Sequence, residues 1–366
     1  MPPLEFRKQE IAYILNKVTA GDSCSVVGVG SVGKSNLLRH FMEPETLRFH
    51  VGKEDSDNLH LVLIDPNNML DPLPSTLNAA VPSAWAGYEI MVHRLHKAFY
   101  PLTGLGDEAK EAFMYAYDQL HDGNNPLLAH VGLRYLELAL EQLLSPESPI
   151  RRRQKIVFVF DEFEEMLAQL PPRFFQALRG IRDDYKYRLM YVTFTRRPIP
   201  QIVEEEGYSQ QKLEPFVELF TDNTLYLGPY NKDDAIAMIE RLSGRQGVNY
   251  PPSFRNFLLR ASGGHAGILR ASFQLAVHIP FGTPENEAMH FLATSQPVQT
   301  ECRTIWDSLT EDERVVLYRL VSDQGVGSLS AAASLLQKKQ LLTGESVLEI
   351  SPPLFREFVR QVAVAT

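Results

Sequence analysis

The 366-residue sequence is poor in cysteine, with only Cys24 and Cys302, far apart in the chain. No disulfide framework can be built from them, and no Cys/His spacing of a metal site occurs, which favours a reducing compartment, the cytoplasm. Long apolar runs are also missing. None approaches membrane-spanning length, and the opening Met1-Pro-Pro-Leu-Glu is no signal peptide, so no membrane association is expected. Positive charge is scarce: 36 Lys and Arg stand against 45 Asp and Glu, for a net charge of -9. That balance counts against broad, non-specific attachment to nucleic acid. No internal repeat is visible. What is present, 44% hydrophobic and 22% charged residues, is ordinary globular composition, long enough for two or three domains with sizeable cores.

Against this background one stretch stands out. Gly28-Val-Gly-Ser-Val-Gly33-Lys34-Ser35 matches G-x-x-x-x-G-K-[ST] at every fixed position. It follows Cys24–Val27, which reads as a short buried strand, and precedes Asn36 to Phe41, which reads as the first turns of a helix. Glycines at 28, 30 and 33 let the backbone turn so that N–H groups of Ser31, Val32 and their neighbours through Asn36 converge on phosphate oxygens at a helix N-terminus. Lys34 would reach the β- and γ-phosphates, and the Ser35 hydroxyl would ligate Mg²⁺. A nucleoside triphosphate with Mg²⁺ is the expected ligand.

A second apolar run, Lys155 to Phe160, is followed at once by Asp161-Glu162-Phe163-Glu164-Glu165. Such a run suits a parallel strand buried on both faces, with ligands gathered at its carboxyl end. Asp161 would hold Mg²⁺ through water, and Glu162 would polarise the water that attacks the γ-phosphate. Glu164 and Glu165 read as solvated helix charges. A third run, Leu189 to Thr195, ends in Arg196-Arg197-Pro198; the Arg196 guanidinium offers a bidentate fork to a phosphate oxygen pair. A strand inserted between those of the two phosphate motifs would bring its tip to the γ-phosphate.

With these motifs, Thr195-Arg196 resembles the sensor of STAND ATPases, the signal-transduction branch of the AAA+-like P-loop group. Phe6-Arg7-Lys8-Gln9-Glu10 is similar to that family's arginine–glutamate lead-in, which implies a role for Arg7 near adenine. Leu59 to Ile64 with Asp65-Pro-Asn67 resembles its second strand. Leu225 to Pro229 resembles the strand and proline entering a helical lid, and Ser262-Gly-Gly-His265-Ala-Gly267 resembles the lid's Gly-Gly-His-Pro signature, with Ala266 in place of proline. Ile305 to Glu357 is similar to a winged-helix module. The resemblance implies an α/β fold: a P-loop parallel-sheet core over 1–228, a helical lid over 229–296 and a winged-helix domain over 297–366. Lys34, Glu162 and Arg196 would then be catalytic, and Arg7, Pro229 and His265 would line the nucleotide.

The remaining patterns are mostly structural. Trp85, Tyr88, Val92, Leu95 and Phe99 share one helical face, and Leu133, Leu136, Leu140 and Leu144 repeat the stripe; both read as core. Gly123 to Pro126 reads as a loop. Asn231 should cap a helix, Pro251 and Pro252 should start another, and two more follow from Gly267 and Glu285. Thr310 with Glu313 forms a capping box, Leu329 to Lys338 reads as a short helix, and Thr343 to Ser346 as a hairpin turn. Residues 297–366 carry seven basic and nine acidic side chains, a net -2 that gives no footprint for a phosphate backbone. Arg151 to Arg153 reads as a solvated turn, and Arg179, Arg182, Lys186 and Arg188 as a charged helix end or a finger toward a neighbour. His60, His93 and His130 show no ligand spacing.

These features imply a slowly hydrolysing ATP switch of STAND type, acting through a protein partner or self-assembly. The alternative is a DNA-associated AAA+ ATPase of replication-initiator or transposition-regulator type, with nucleic acid possible as a partner but disfavoured by the acidic C-terminal region.

Overall fold

The computed structural model describes residues 2–70, 84–122, 128–144, 153–344 and 347–365. The expected apolar runs form strands: β1 (Cys24–Val27), β2 (Leu59–Ile64), β3 (Lys155–Phe160), β4 (Leu189–Thr195) and β5 (Thr224–Tyr226). They make one sheet in the order β2-β3-β4-β1-β5. β2 runs parallel to β3, and β3 to β4, with Val62 opposite Phe158 and Phe158 opposite Tyr191. All of β1, all of β4 and all but the first residue of β3 are buried, which is why they read as continuous rather than alternating apolar segments. β4 lies between β3 and β1, the inserted position that the sequence pattern anticipated.

The chain divides into two compact units, each discontinuous in sequence. One comprises Ile11–Val26 and Pro44–Leu225, the other Met1–Glu10, Val27–Glu43 and Tyr226–Thr366. In the first, helices Trp85–Phe99, Asp107–Asp122 and Leu128–Leu144 carry the two predicted stripes. Trp85, Tyr88, Val92, Leu95, Leu136, Leu140 and Leu144 are buried in one cluster with Phe158, Phe160, Phe174 and Tyr191. The Trp85 indole N–H donates to Leu120 O at 3.0 Å, so the ring is buried without an orphaned donor. Helix Pro44–Asn58 is absent from the sequence reading; Gly52 interrupts it with φ 81. The expected loop from Gly123 to Pro126, the side chain of His130, and Arg151 and Arg152 lie outside what is described. Arg153 pairs with Glu54 at 2.7 Å on the surface.

The second unit is helical apart from one small strand pair. Asn231 caps helix Lys232–Gln246 by accepting from the Asp234 N–H at 2.8 Å. Helices Pro252–Ser262, Ala266–Leu275, Glu285–Thr294 and Gln296–Asp307 follow. The capping box opens helix Glu311–Val321: Thr310 Oγ1 accepts from Glu313 N–H, and Glu313 accepts in return from Thr310 N–H at 3.0 Å. Helix Ser330–Lys338, β6 (Leu342–Thr343), β7 (Glu349–Ile350) and helix Pro353–Ala365 complete the unit, β6 and β7 pairing antiparallel. Glu345 and Ser346, in the expected hairpin turn, are not described.

Candidate functional site

Gly33 takes φ 103 and opens helix Lys34–Phe41, a backbone angle that a side chain would strain. A Cβ there would also meet the Tyr230 hydroxyl at 2.9 Å. The loop is thus built around its glycines, whose backbone is approached so closely by the surrounding chain that an added side chain would collide. Lys34 Nζ donates to the carbonyls of Gly28 and Val29, the latter at 3.2 Å, folding back on its own loop. The Asn36 amide donates to Tyr230 Oη at 2.8 Å.

Arg7 is fully buried beside this loop. Its guanidinium donates to Gly228 O at 2.8 Å, Pro229 O at 3.1 Å and Val32 O at 3.3 Å, and pairs with Glu10 at 2.6 Å. Its carbon lies 4.5 Å from the centre of the Tyr230 ring. The Arg7 backbone N–H donates to Asp234 at 3.2 Å. Arg7 therefore ties the N-terminal segment, the loop and the entry to helix Lys232–Gln246 together, and Pro229 is reached through its carbonyl. Tyr230 and Asp234, at the hub of this arrangement, have no motif signature and were not singled out by sequence.

His265 is fully buried at the start of helix Ala266–Leu275, and both ring nitrogens lack a hydrogen-bond partner. Burial, with the charges of Arg7 and Lys34 adding to it, pushes its pKa down to about 3, so the ring is neutral. Buried polar atoms are nearly always partnered, so the two unpaired ring nitrogens are a cost the fold carries beside Arg7 and Lys34. The next turn touches the loop directly, for Gly267 N–H donates to Ser31 O at 3.0 Å.

Helix Gln296–Asp307 also packs on the loop. The Gly30 N–H donates to Ser308 Oγ at 3.1 Å, and that hydroxyl donates in turn to Ile305 O at 2.6 Å. A Cβ at Gly30 would sit 2.3 Å from Thr304 O, and one at Gly267 would sit 2.2 Å from Glu301 Oε2. None of Glu301, Thr304 and Ser308 carries a motif that would have revealed this contact.

Asp161, Glu162 and Arg196 belong to the other unit, at the carboxyl ends of β3 and β4. Glu162 holds φ 43, a left-handed angle unusual for a side-chain-bearing residue, and its N–H is engaged by Asp161 Oδ1 at 3.0 Å. The Asn67 amide, just beyond β2, donates to Glu162 Oε2 at 3.1 Å, and Arg196 Nη2 stands 3.6 Å from Glu162 Oε1. Glu164 departs from the solvated charge expected of it. Its side chain is 16% exposed; it accepts from the Arg196 N–H at 3.2 Å and lies 3.7 Å from Arg196 Nε. The carboxylates at 162 and 164 thus hold the Arg196 fork between them.

The basic clusters are largely spent internally. Arg179 pairs with Asp183 at 2.9 Å and donates to Pro215 O, while Arg182 donates to Gly21 O. At the end of helix Ser330–Lys338, Gln337 donates to Gly344 O and Lys338 lies 5.5 Å from the centre of the Tyr226 ring. Lys339 is buried against Glu313 at 2.7 Å. Among the described residues no helix is long and apolar enough to cross a membrane.

No protein-family model and no curated protein matches this sequence. Solved structures do. A Walker-type ATPase of Pyrococcus abyssi is similar over 97% of this chain and 95% of its own, at 13% identity and a TM-score of 0.53. The ORC2 protein of Aeropyrum pernix, in ADPNP–ADP complexes, is similar over 100% of this chain and 96% of its own, at 14% identity and a TM-score of 0.51. The fold is that of AAA+-like P-loop ATPases. STAND character is not among the features these likenesses carry.

Proposed function

We propose that this chain is an ATP-binding and ATP-hydrolysing AAA+-like ATPase of initiator type, in which nucleotide state governs the helical C-terminal region and assembly. The observation that carries the reading is the glycine-built loop with Lys34, bordered by a buried, partnerless His265. The cradle and the orphaned imidazole fit a polyphosphate. Mg²⁺–ATP, when bound there, supplies the phosphoanhydride bond to be cleaved.

The loop amides and Lys34 would hold the phosphates, Lys34 exchanging its carbonyl partners for phosphate oxygens. Ser35 and Asp161 would hold Mg²⁺. Glu162 would accept the proton of the attacking water, and its amide and guanidinium neighbours would orient it. Arg196 would sense the γ-phosphate through its fork. Arg7 would act indirectly, by fixing the Gly228–Pro229 carbonyls and Tyr230. Residues 1–228, 229–296 and 297–366 would correspond to core, lid and winged helix.

The likeness to ORC2 favours the DNA-associated alternative over the STAND switch implied by sequence resemblance. One observation favours the protein-facing reading instead: Lys339 is buried against Glu313, so the basic end of helix Ser330–Lys338 offers a duplex only the exposed Lys338. Solution mass with ADP, with ATP and Mg²⁺, and with Glu162→Gln, each with and without duplex DNA, separates the two. Assembly that requires DNA and weakens with salt supports the initiator reading. ATP-driven assembly indifferent to DNA overturns it in favour of a protein-facing switch, and no response to nucleotide removes both.

A further inference from the structure

We infer that helices Trp85–Phe99 and Asp107–Asp122 carry a divalent transition-metal site of the zinc class, built from Glu89, His93 and His121. The ligand atoms of these three side chains lie within 4.8 Å of one another. The spacing is visible once the helix is known: Glu89 and His93 stand four residues apart on one helical face, and His121 comes from the neighbouring helix. This corrects the reading of His93 as a histidine without ligand spacing.

Glu89 makes the case chemical rather than merely geometric. Its side chain is only 5% exposed, amid the apolar residues of helix Trp85–Phe99, yet it carries a carboxylate. A buried carboxylate needs a cationic or hydrogen-bonding partner, and its hydrogen-bond partner among the described residues is His121 Nδ1 at 3.2 Å. That separation is close to the edge of a tetrahedron with metal–ligand bonds of about 2.0–2.1 Å, whose edges are about 3.3 Å. His93 is half-buried and His121 exposed, so both rings can close the remaining gap by side-chain rotation, while Glu89 stays fixed.

The outer groups fit as well. Tyr117 Oη lies 3.4 Å from His93 Nδ1, where it can orient the ring, and the His93 and His121 rings are nearly parallel at 17°. Two imidazoles and one carboxylate select a borderline ion such as Zn²⁺ over Mg²⁺ or Ca²⁺, which take oxygen ligands. Water would complete the fourth position. The site would clip the two helices together, away from the phosphate motifs in sequence and independent of them in chemistry.

The test uses the full chain, stripped with chelator and titrated with Zn²⁺, with bound metal counted by mass spectrometry and melting followed in parallel. One equivalent per chain, a raised melting temperature, and the visible absorption of a tetrahedral centre on Co²⁺ substitution are the expected results. His121→Asn, which keeps an amide donor for Glu89, should abolish that equivalent while leaving the unliganded melting temperature nearly unchanged. Tyr117→Phe should weaken binding roughly 10-fold, as an outer-shell partner does. Less than one equivalent in the unaltered chain, or one equivalent surviving in the His93→Ala/His121→Ala double variant, overturns the site.

Discussion

The Gly30 N–H donates to the side-chain oxygen of Ser308 at 3.1 Å, across 278 residues of sequence. A backbone donor at the heart of the phosphate loop is therefore already engaged, by a hydroxyl that helix Gln296–Asp307 delivers. A phosphate oxygen seeking that donor must displace it. Ser308→Ala removes the competing acceptor without adding bulk. ATP should then bind more tightly, by up to about tenfold, the equivalent of one hydrogen bond of about 0.5–1.5 kcal/mol. Equilibrium titration with a fluorescent ATP analogue checks this, and unchanged or weaker affinity would show that Ser308 is no competitor.

Glu162 is held by Asn67 at 3.1 Å and faces Arg196 at 3.6 Å, contacts that fix where its carboxylate points. Glu162→Gln preserves size and loses the proton acceptor. Turnover should fall by about 10²–10⁴-fold, the usual contribution of general-base catalysis, with ATP affinity little altered. Steady-state phosphate release together with nucleotide titration separates the two effects. A proportional loss of binding would make Glu162 a structural residue.

His265 predicts an acid sensitivity whose sign follows from its burial. Its folded pKa lies near 3, below the ordinary histidine value of 6.5. The stability it contributes is present above about pH 6.5 and is lost as pH falls toward 3, because the unfolded chain takes up a proton that the folded chain refuses. In His265→Gln the fall of the urea midpoint between those pH values should be shallower, by close to one proton in the linkage slope. An unchanged slope would place the acid sensitivity elsewhere, His40, His60 and His96 being lowered too by burial.

Lys339 and Glu313 form a wholly buried pair, and Glu313 also closes the capping box on Thr310. Removing one charge leaves the other buried and unpaired. Lys339→Met should therefore cost about 3–5 kcal/mol, whereas Lys339→Met with Glu313→Gln should recover a large part of it. Denaturant unfolding of the single and double variants reads the difference. Equal losses would mean that packing, not charge, governs this position.

The legibility of these features in sequence follows their physical range. β1, β2, β3 and β4 match the expected runs end to end; in β1, β3 and β4 this is because strands buried on both faces leave uninterrupted hydrophobic segments, while β2, at the sheet edge, is only partly buried. The caps at Asn231 and Thr310 were readable because each acts within three residues. The strand–glycine loop–helix arrangement around Gly33 was readable because a positive φ at the helix entry favours one residue type at a fixed spacing. Glu164 was misread because its partner Arg196 is 32 residues away, and a carboxylate beside another looks solvated until its partner is known. Tyr230, Thr304 and Ser308 were invisible for the same reason: ordinary residues acquire meaning only from long-range packing. The helix Pro44–Asn58 lacks a clear apolar stripe, with only Thr46 and Leu47 buried, so it left no periodic signal.

The unit that contains the phosphate loop is assembled from segments 1–10, 27–43 and 226–366. Ribosomal synthesis releases these in order, and contacts of high sequence separation form only after both ends exist. Tyr230, His265 and Ser308 follow the loop by about two hundred residues or more. The glycine loop therefore lacks Tyr230 and Ser308, the groups packed on it, until synthesis has passed residue 308, so its packing is completed long after the loop itself has been made.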